Sequence, residues 1–156
     1  DGELLPCITA EELENLSIRK GSLTAAERQK INDHASMSIK MLEQIPFMRK
    51  LERVPQIAGA HHEKLDGSGY PLGLVADEIS LQSRILALVD IFESLSADDR
   101  PYRTKPMPRE IVMRILQEMV DDGHIDTDVH DLFLREGLWD KLDEIKEQMA
   151  RERQAG

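Results

Sequence analysis

The stretch that decides the fold class is Leu81–Ala97, LQSRILALVDIFESLSA. It is the most hydrophobic part of the chain, and its Leu, Ile and Ala content favours a helix. No other stretch competes with it as a strand, because nowhere do Val, Ile and Thr alternate with polar residues over a useful length. The expected class is therefore all-α. Within Ile85–Phe92 every residue except Asp90 is apolar. A carboxylate there risks burial, which costs several kcal/mol unless a cation or several donors compensate.

Outward from this helix, local signals divide the chain into further helices. Thr9 with Glu12 and Thr24 with Glu27 have capping-box spacing, so helices are predicted to begin after each threonine. Gly21 is expected to stop the first, and the second is predicted over 25–45, with Ile31, Ala35, Ser38 and Leu42 on one face and Pro46 as its end. A short helix is predicted over 55–64, ended by the loop Asp66-Gly67-Ser68-Gly69-Tyr70-Pro71. A second loop runs from Asp98 to Met107, Pro108 opens a helix to about Asp122, and Gly123 stops it. The last helical region, 128–154, is expected to bend near Gly137 and to end in a charged helix striped by Leu142, Ile145 and Met149. There is no internal repeat, and 156 residues suit one domain, 1–156.

Composition narrows the function. With 40% hydrophobic but only 4% aromatic residues, the core is expected to be aliphatic. The net charge of −10 disfavours nucleic-acid polymers, though a local basic cluster can still hold a small phosphate ligand. Cys7, the one cysteine, allows neither an internal disulfide nor a zinc–thiolate cluster. A reducing, cytoplasmic setting fits, and no stretch is long and apolar enough to span a membrane.

The chemistry-bearing residues begin with the doublet His61-His62, since imidazole binds first-row divalent metals well. Adjacent helical residues point about 100° apart, so the pair can flank a pocket, with Ala58-Gly59-Ala60 letting another helix approach. The alternative is two ordinary histidines at a helix end. Asp90 shares a stripe of mostly small residues (Ser83, Leu86, Ala87, Glu93, Ser94, Ala97) that can form a pocket wall, or else it pairs with an arginine at the rim. His34 lies mid-helix at the edge of an apolar face, as a ligand or as a boundary residue. His124 and His130 read as structural or surface residues. Gly67 and Gly69 permit backbone forms closed to other residues and let a ligand approach the main chain, Tyr70 offers a ring for base stacking, and Pro71 stiffens the loop exit. Arg100, Arg103, Lys105 and Arg109 form a local cationic segment, and guanidinium forks match phosphate oxygens. A solvated loop paired with Asp98 and Asp99 is the other reading.

Taken together, His61-His62-Glu63-Lys64-Leu65-Asp66-Gly67-Ser68-Gly69-Tyr70-Pro71 resembles the HHE-x-x-DG-x-GYP signature of the HD-GYP family. Leu23-Thr24 through Glu27 to His34, Arg84-Ile85 through Asp90-Ile91-Phe92-Glu93, and Asp99–Arg103 resemble its neighbouring blocks, so the likeness runs over about 16–134, with 135–156 as a C-terminal helix. The resemblance implies an HD-superfamily helical bundle with two or three divalent metal ions, iron or manganese by family habit. It places His34, His61, His62 and Asp90 as metal ligands. Asp66, Gly67, Gly69, Tyr70 and Pro71, with Arg100 and Arg103, take substrate-facing positions. The implied activity is hydrolysis of cyclic di-GMP to pGpG or GMP, as the output module of a protein with a sensor or receiver domain. A non-catalytic module that binds cyclic di-GMP or a protein is the alternative, and the C-terminal stripe can support a homodimer. The family is also named for a His-Asp pair upstream of the position of His34, and no such pair precedes His34 here. The expectation is that the chain is the C-terminal portion of the domain, inactive or nearly so alone within an active parent, or else a degenerate member.

Overall fold

The computed structural model describes residues 7–18, 23–97 and 107–155. They form seven helices: α1 (Ala10–Leu16), α2 (Ala25–Leu42), α3 (Val54–Gly59), α4 (Leu81–Ser96), α5 (Arg109–Asp121), α6 (Thr127–Arg135) and α7 (Leu138–Ala155). Short 3-10 turns cover Arg49–Leu51 and Ala76–Glu78. The only strand-like pairing among the described residues is an isolated antiparallel bridge, Asp66 with Val75. The all-α reading holds.

Most helix ends follow local chemistry. Both capping boxes form: the Thr9 N–H donates to Glu12 and the Thr24 N–H to Glu27, each at 2.8 Å, while the two hydroxyl oxygens accept from the glutamate N–H groups at 3.2 Å. Such a cap stabilises a helix by about 1 kcal/mol. Ser80 and Asp126 cap α4 and α6 by accepting the N–H groups of Ser83 and Val129. Gly123 and Gly137 take positive φ, 70° and 58°, and separate the last three helices where expected. Gly21, the expected stop of α1, lies outside the described residues; α1 already ends at Leu16.

The core lies between α4, α5 and α6. Leu88 and Phe92 meet Val112, Leu116, Ile125, Val129 and Phe133, and Trp139 and Leu142 close over them from α7. Val112 and Leu116 are fully buried, each worth roughly 1.5–3 kcal/mol of removed apolar surface. The expectation of a purely aliphatic core fails. Aromatics are few, but Phe92 stands 4.9 Å from the Phe133 ring and 5.0 Å from Trp139, edge to face, at the centre. Scarcity says nothing about placement.

Arg84 ties α4 to its neighbours. Its guanidinium donates to Asp126 at 2.6 Å, to the Ile79 carbonyl at 3.0 Å and to the Ala76 carbonyl. The α2–α3 pair packs through Gly59, where a Cβ would come within 2.1 Å of the Ile39 side chain, so the small residues at 58–60 do admit a helix. On α2, by contrast, only Ala35 is buried, and Ile31, on the predicted inner face, is 52% exposed.

Candidate metal centre

The predicted helix over 55–64 ends at Gly59, so the histidine doublet sits in the turn that follows rather than on a helix. Long-range anchoring explains the early end. The Glu63 side chain is turned inward and bonds the loop at Leu72 and Leu74, which ties the chain after Gly59 to that loop. The consequence for the site is direct. Instead of diverging by about 100°, the His61 and His62 rings lie side by side, with centroids 4.0 Å apart and planes 41° apart.

His34, from the middle of α2, completes the group. One ligand nitrogen from each of His34, His61 and His62 lies within 4.8 Å of the other two. The Nε2 atoms of His34 and His62 are 3.0 Å apart. Two imidazole nitrogens that share one cation at about 2.1 Å, near a right angle, stand about 3 Å apart, so this spacing fits a divalent ion. Two of the rings are also oriented for that purpose. His34 Nδ1 lies 2.5 Å from the Ile31 carbonyl and His61 Nδ1 2.5 Å from the Ala58 carbonyl. A proton on each Nδ1, donated to its carbonyl, leaves Nε2 as the free electron pair. Burial, with His61 and His34 outweighing the carboxylate of Asp90, lowers the His62 pKa to about 4, so its ring is neutral and able to ligate near neutral pH.

Asp90 stands outside this tight group. It is half-buried on α4 and lines a cavity of about 390 Å³ with His61, Leu86, Ser38, Met41, Leu42 and Ala58. Its charge still reaches the site, acting on both His62 and Tyr70.

The glycine-rich loop packs against the histidines. The Tyr70 ring stacks on His62, with centroids 4.7 Å apart and planes 27° apart, and the Tyr70 N–H donates to the His62 carbonyl at 3.2 Å. Burial, and then Asp90, pushes the Tyr70 hydroxyl pKa up, so it remains a proton donor. Pro71 follows through a cis peptide bond. Gly67 is required for its backbone, with φ of 80°. Gly69 is required for space, because a Cβ there would come within 2.4 Å of the Lys64 backbone nitrogen. It is the chain's own backbone, not a ligand, that approaches Gly69. Asp66 shapes the loop too, accepting the Ser68 N–H at 2.9 Å and its hydroxyl at 3.0 Å; those bonds hold its carboxyl below the usual range. Arg100 and Arg103 lie outside the described residues.

Two features escaped the sequence reading. Glu63 is 4% exposed and gives its two oxygens to the N–H groups of Leu72 and Leu74, at 2.7 and 2.9 Å. The signal available was its place directly before a loop rich in unpaired amides. His130 and Asp131 spell a His-Asp pair that the motif reading passes over, but it lies on α6, away from the cluster elements. His130 is 2% exposed with its Nε2 unpartnered, while the Asp131 side chain is largely exposed. His124, read as structural or surface, stands 3.6 Å from Asp66 behind the loop.

Residues 9–129 match the HD domain family. The chain is 44% identical over 100 residues to the 3'3'-cGAMP-specific phosphodiesterase 3 of Vibrio cholerae serotype O1, covering 64% of this chain and 21% of that protein. It is 38% identical over 122 residues to the 3'3'-cGAMP-specific phosphodiesterase 1 of the same organism, covering 78% and 27%. A cyclic di-GMP phosphodiesterase of Pseudomonas aeruginosa is 31% identical over 117 residues, covering 75% and 27%. The chain thus spans about a quarter of the length of these relatives, 21% to 27%. With the histidine doublet, the glycine–tyrosine–proline loop and the helical scaffold in place, the chain belongs to the HD domain family, in its HD-GYP branch.

Proposed function

We infer that this chain carries the metal centre of a phosphodiesterase that opens cyclic dinucleotides, cyclic di-GMP to pGpG or GMP. The observation that carries this reading is the convergence of His34, His61 and His62, with nitrogens within 4.8 Å and two rings oriented by backbone carbonyls. In this reading His34, His61 and His62 hold a divalent ion, and Asp90 contributes a carboxylate from across the cavity to a centre of two or three ions, iron or manganese. Bound ions supply Lewis acidity toward water and the phosphate oxygens. The protein's own part is orientation. The Ile31 and Ala58 carbonyls fix the imidazoles, the Tyr70 ring presents a face for a guanine or adenine base, and its hydroxyl offers a proton donor. Arg100 and Arg103 are assigned to the phosphates on charge alone. Water adds to phosphorus and the bond to the 3'-oxygen breaks, which leaves a linear product with a 5'-phosphate.

Relatives named for 3'3'-cGAMP stand beside others named for cyclic di-GMP, so both belong in the assay. Metal analysis of the full-length protein, with turnover of the two dinucleotides, tests the reading. Bound iron or manganese with a linear product supports it, and dinucleotide binding without metal or turnover replaces it with a capture module. The position of Asp90 outside the tight histidine group favours that second reading. An attached sensor or receiver domain, a homodimer through the α7 stripe and a cytoplasmic location complete the proposal. No helix among the described residues is long and apolar enough to cross a membrane.

A further inference from the structure

Glu63 occupies an unusual position for a carboxylate. It is buried, no cation among the described residues pairs with it, and it is directly bonded to the histidine that Tyr70 covers. Both of its oxygens are spent on backbone amides nine and eleven residues further on, Leu72 at 2.7 Å and Leu74 at 2.9 Å. A carboxylate offers two acceptor oxygens in one rigid fork; glutamine offers one acceptor and one donor.

These two bonds act on a short loop whose other attachments are few. At its base, the Asp66–Val75 bridge and the bond from the Ala76 N–H to the Leu65 carbonyl close the ends. In its middle, Gly69 lies against the Glu63–Lys64 backbone, and the Tyr70 N–H reaches the His62 carbonyl. At its far side, the Leu72 and Leu74 amides have Glu63. Tyr70 therefore sits between its own backbone bond and the first clamped amide, with one residue, Pro71, in between. The ring's placement over His62 depends on both ends.

We propose that Glu63 is a positioning residue of this site: its carboxylate straps the loop 66–74 onto the histidine turn, and so holds Tyr70 face-on to His62 as the surface on which a substrate base stacks. The assignment to substrate rests on the phosphodiesterase reading, whereas the strap itself does not. Glu63 touches neither substrate nor ion in this account, and acts only through Tyr70.

The test uses Glu63→Gln in the full-length protein, which keeps the shape and sets an NH₂ group against one of the two amides. Amide hydrogen exchange at Leu72 and Leu74 is expected to rise about tenfold, since one charge-assisted bond of two is lost, with the α4–α6 core unchanged. Unchanged exchange at those two amides overturns the strap. The KM for cyclic di-GMP is expected to rise about tenfold while kcat and the affinity for Mn²⁺ alone stay within about threefold. In a double-mutant cycle, Glu63→Gln added to Tyr70→Ala is expected to cost nothing further. Fully additive losses overturn the action through Tyr70, as does a parallel fall in Mn²⁺ affinity. If the wild-type protein opens neither dinucleotide, the phosphodiesterase reading fails, and the exchange measurement still decides the strap. Should Glu63→Gln fail to fold, Glu63→Asp keeps the charge, shortens the reach by one methylene and carries the same readouts.

Discussion

Leu88, Phe92, Val112 and Leu116 are sealed among α4, α5 and α6, whereas Ile31, Met37 and Met41 on α2 remain 52%, 60% and 69% exposed. The two ends of the molecule use their side chains differently. At the α4–α6 end, apolar area is removed from water, and the ion pairs Arg84–Asp126 and Arg109–Asp140 join one element to another. At the α2–α3 end little is buried, and the notable contacts are polar and short: imidazole to imidazole, imidazole to carbonyl, carboxylate to loop amide. Buried apolar area is therefore concentrated away from the candidate site. α4 joins the two, with Leu88 and Phe92 in the core and Asp90 on the cavity beside His61.

The sharpest way to break this comparison is a core truncation. Phe92→Ala should lower unfolding free energy by about 3–5 kcal/mol, because it leaves Phe133 and Trp139 facing a void. Urea denaturation of the full-length protein measures this; a loss under about 1 kcal/mol would mean that α4–α6 is not the stabilising half. Next in size is His62→Ala, which should weaken Mn²⁺ binding roughly a hundredfold, about 2.7 kcal/mol, while leaving stability without metal nearly unchanged. Calorimetric titration with Mn²⁺ and a melt in chelator read the two effects separately.

A smaller effect is expected at Asp126. Burial pushes its pKa up, but the Arg84 guanidinium and the Val129 and Asp128 amides outweigh that, so the net pKa is lowered. A carboxyl lowered in the folded state contributes stability that is present above its unfolded pKa of about 3.9 and lost as pH falls through the folded value. Asp126→Asn should cost about 1–2 kcal/mol at pH 7, given the partial exposure of Arg84, and should flatten the acid limb of the stability profile. An unchanged acid limb would remove Asp126 from the account. The smallest effect belongs to the exposed face: Ile31→Ser should change stability by no more than about 0.5 kcal/mol in the described chain. A larger loss in the full-length protein would show that this face is covered there.

The same contrast governs what the sequence made legible. Helices α2, α4, α5, α6 and α7 were readable because caps and stops are local: Thr24 with Glu27, Gly123 and Gly137 each act within a turn of their own position. The candidate site was readable in kind, since His61, His62 and Tyr70 stand in one motif and His34 in the block that precedes it. The form of the site was not. The helix predicted through Lys64 stops at Gly59, because Glu63 answers to amides nine and eleven residues away and no periodicity encodes that demand. Gly69 was correctly singled out for close approach, but the approaching partner is the Glu63–Lys64 backbone. His130 was left open between a structural and a surface residue, and the packing of α6, which leaves it 2% exposed, decides for the structural one.

Anomalous diffraction at the manganese edge, from crystals of the full-length protein grown with Mn²⁺, tests the central claim most directly. The account predicts a peak about 2–2.3 Å from the Nε2 atoms of His34 and His62, with His61 and Asp90 drawn toward that ion or a neighbour. Full Mn²⁺ saturation with no peak near these imidazoles, or a peak at surface carboxylates alone, would contradict it.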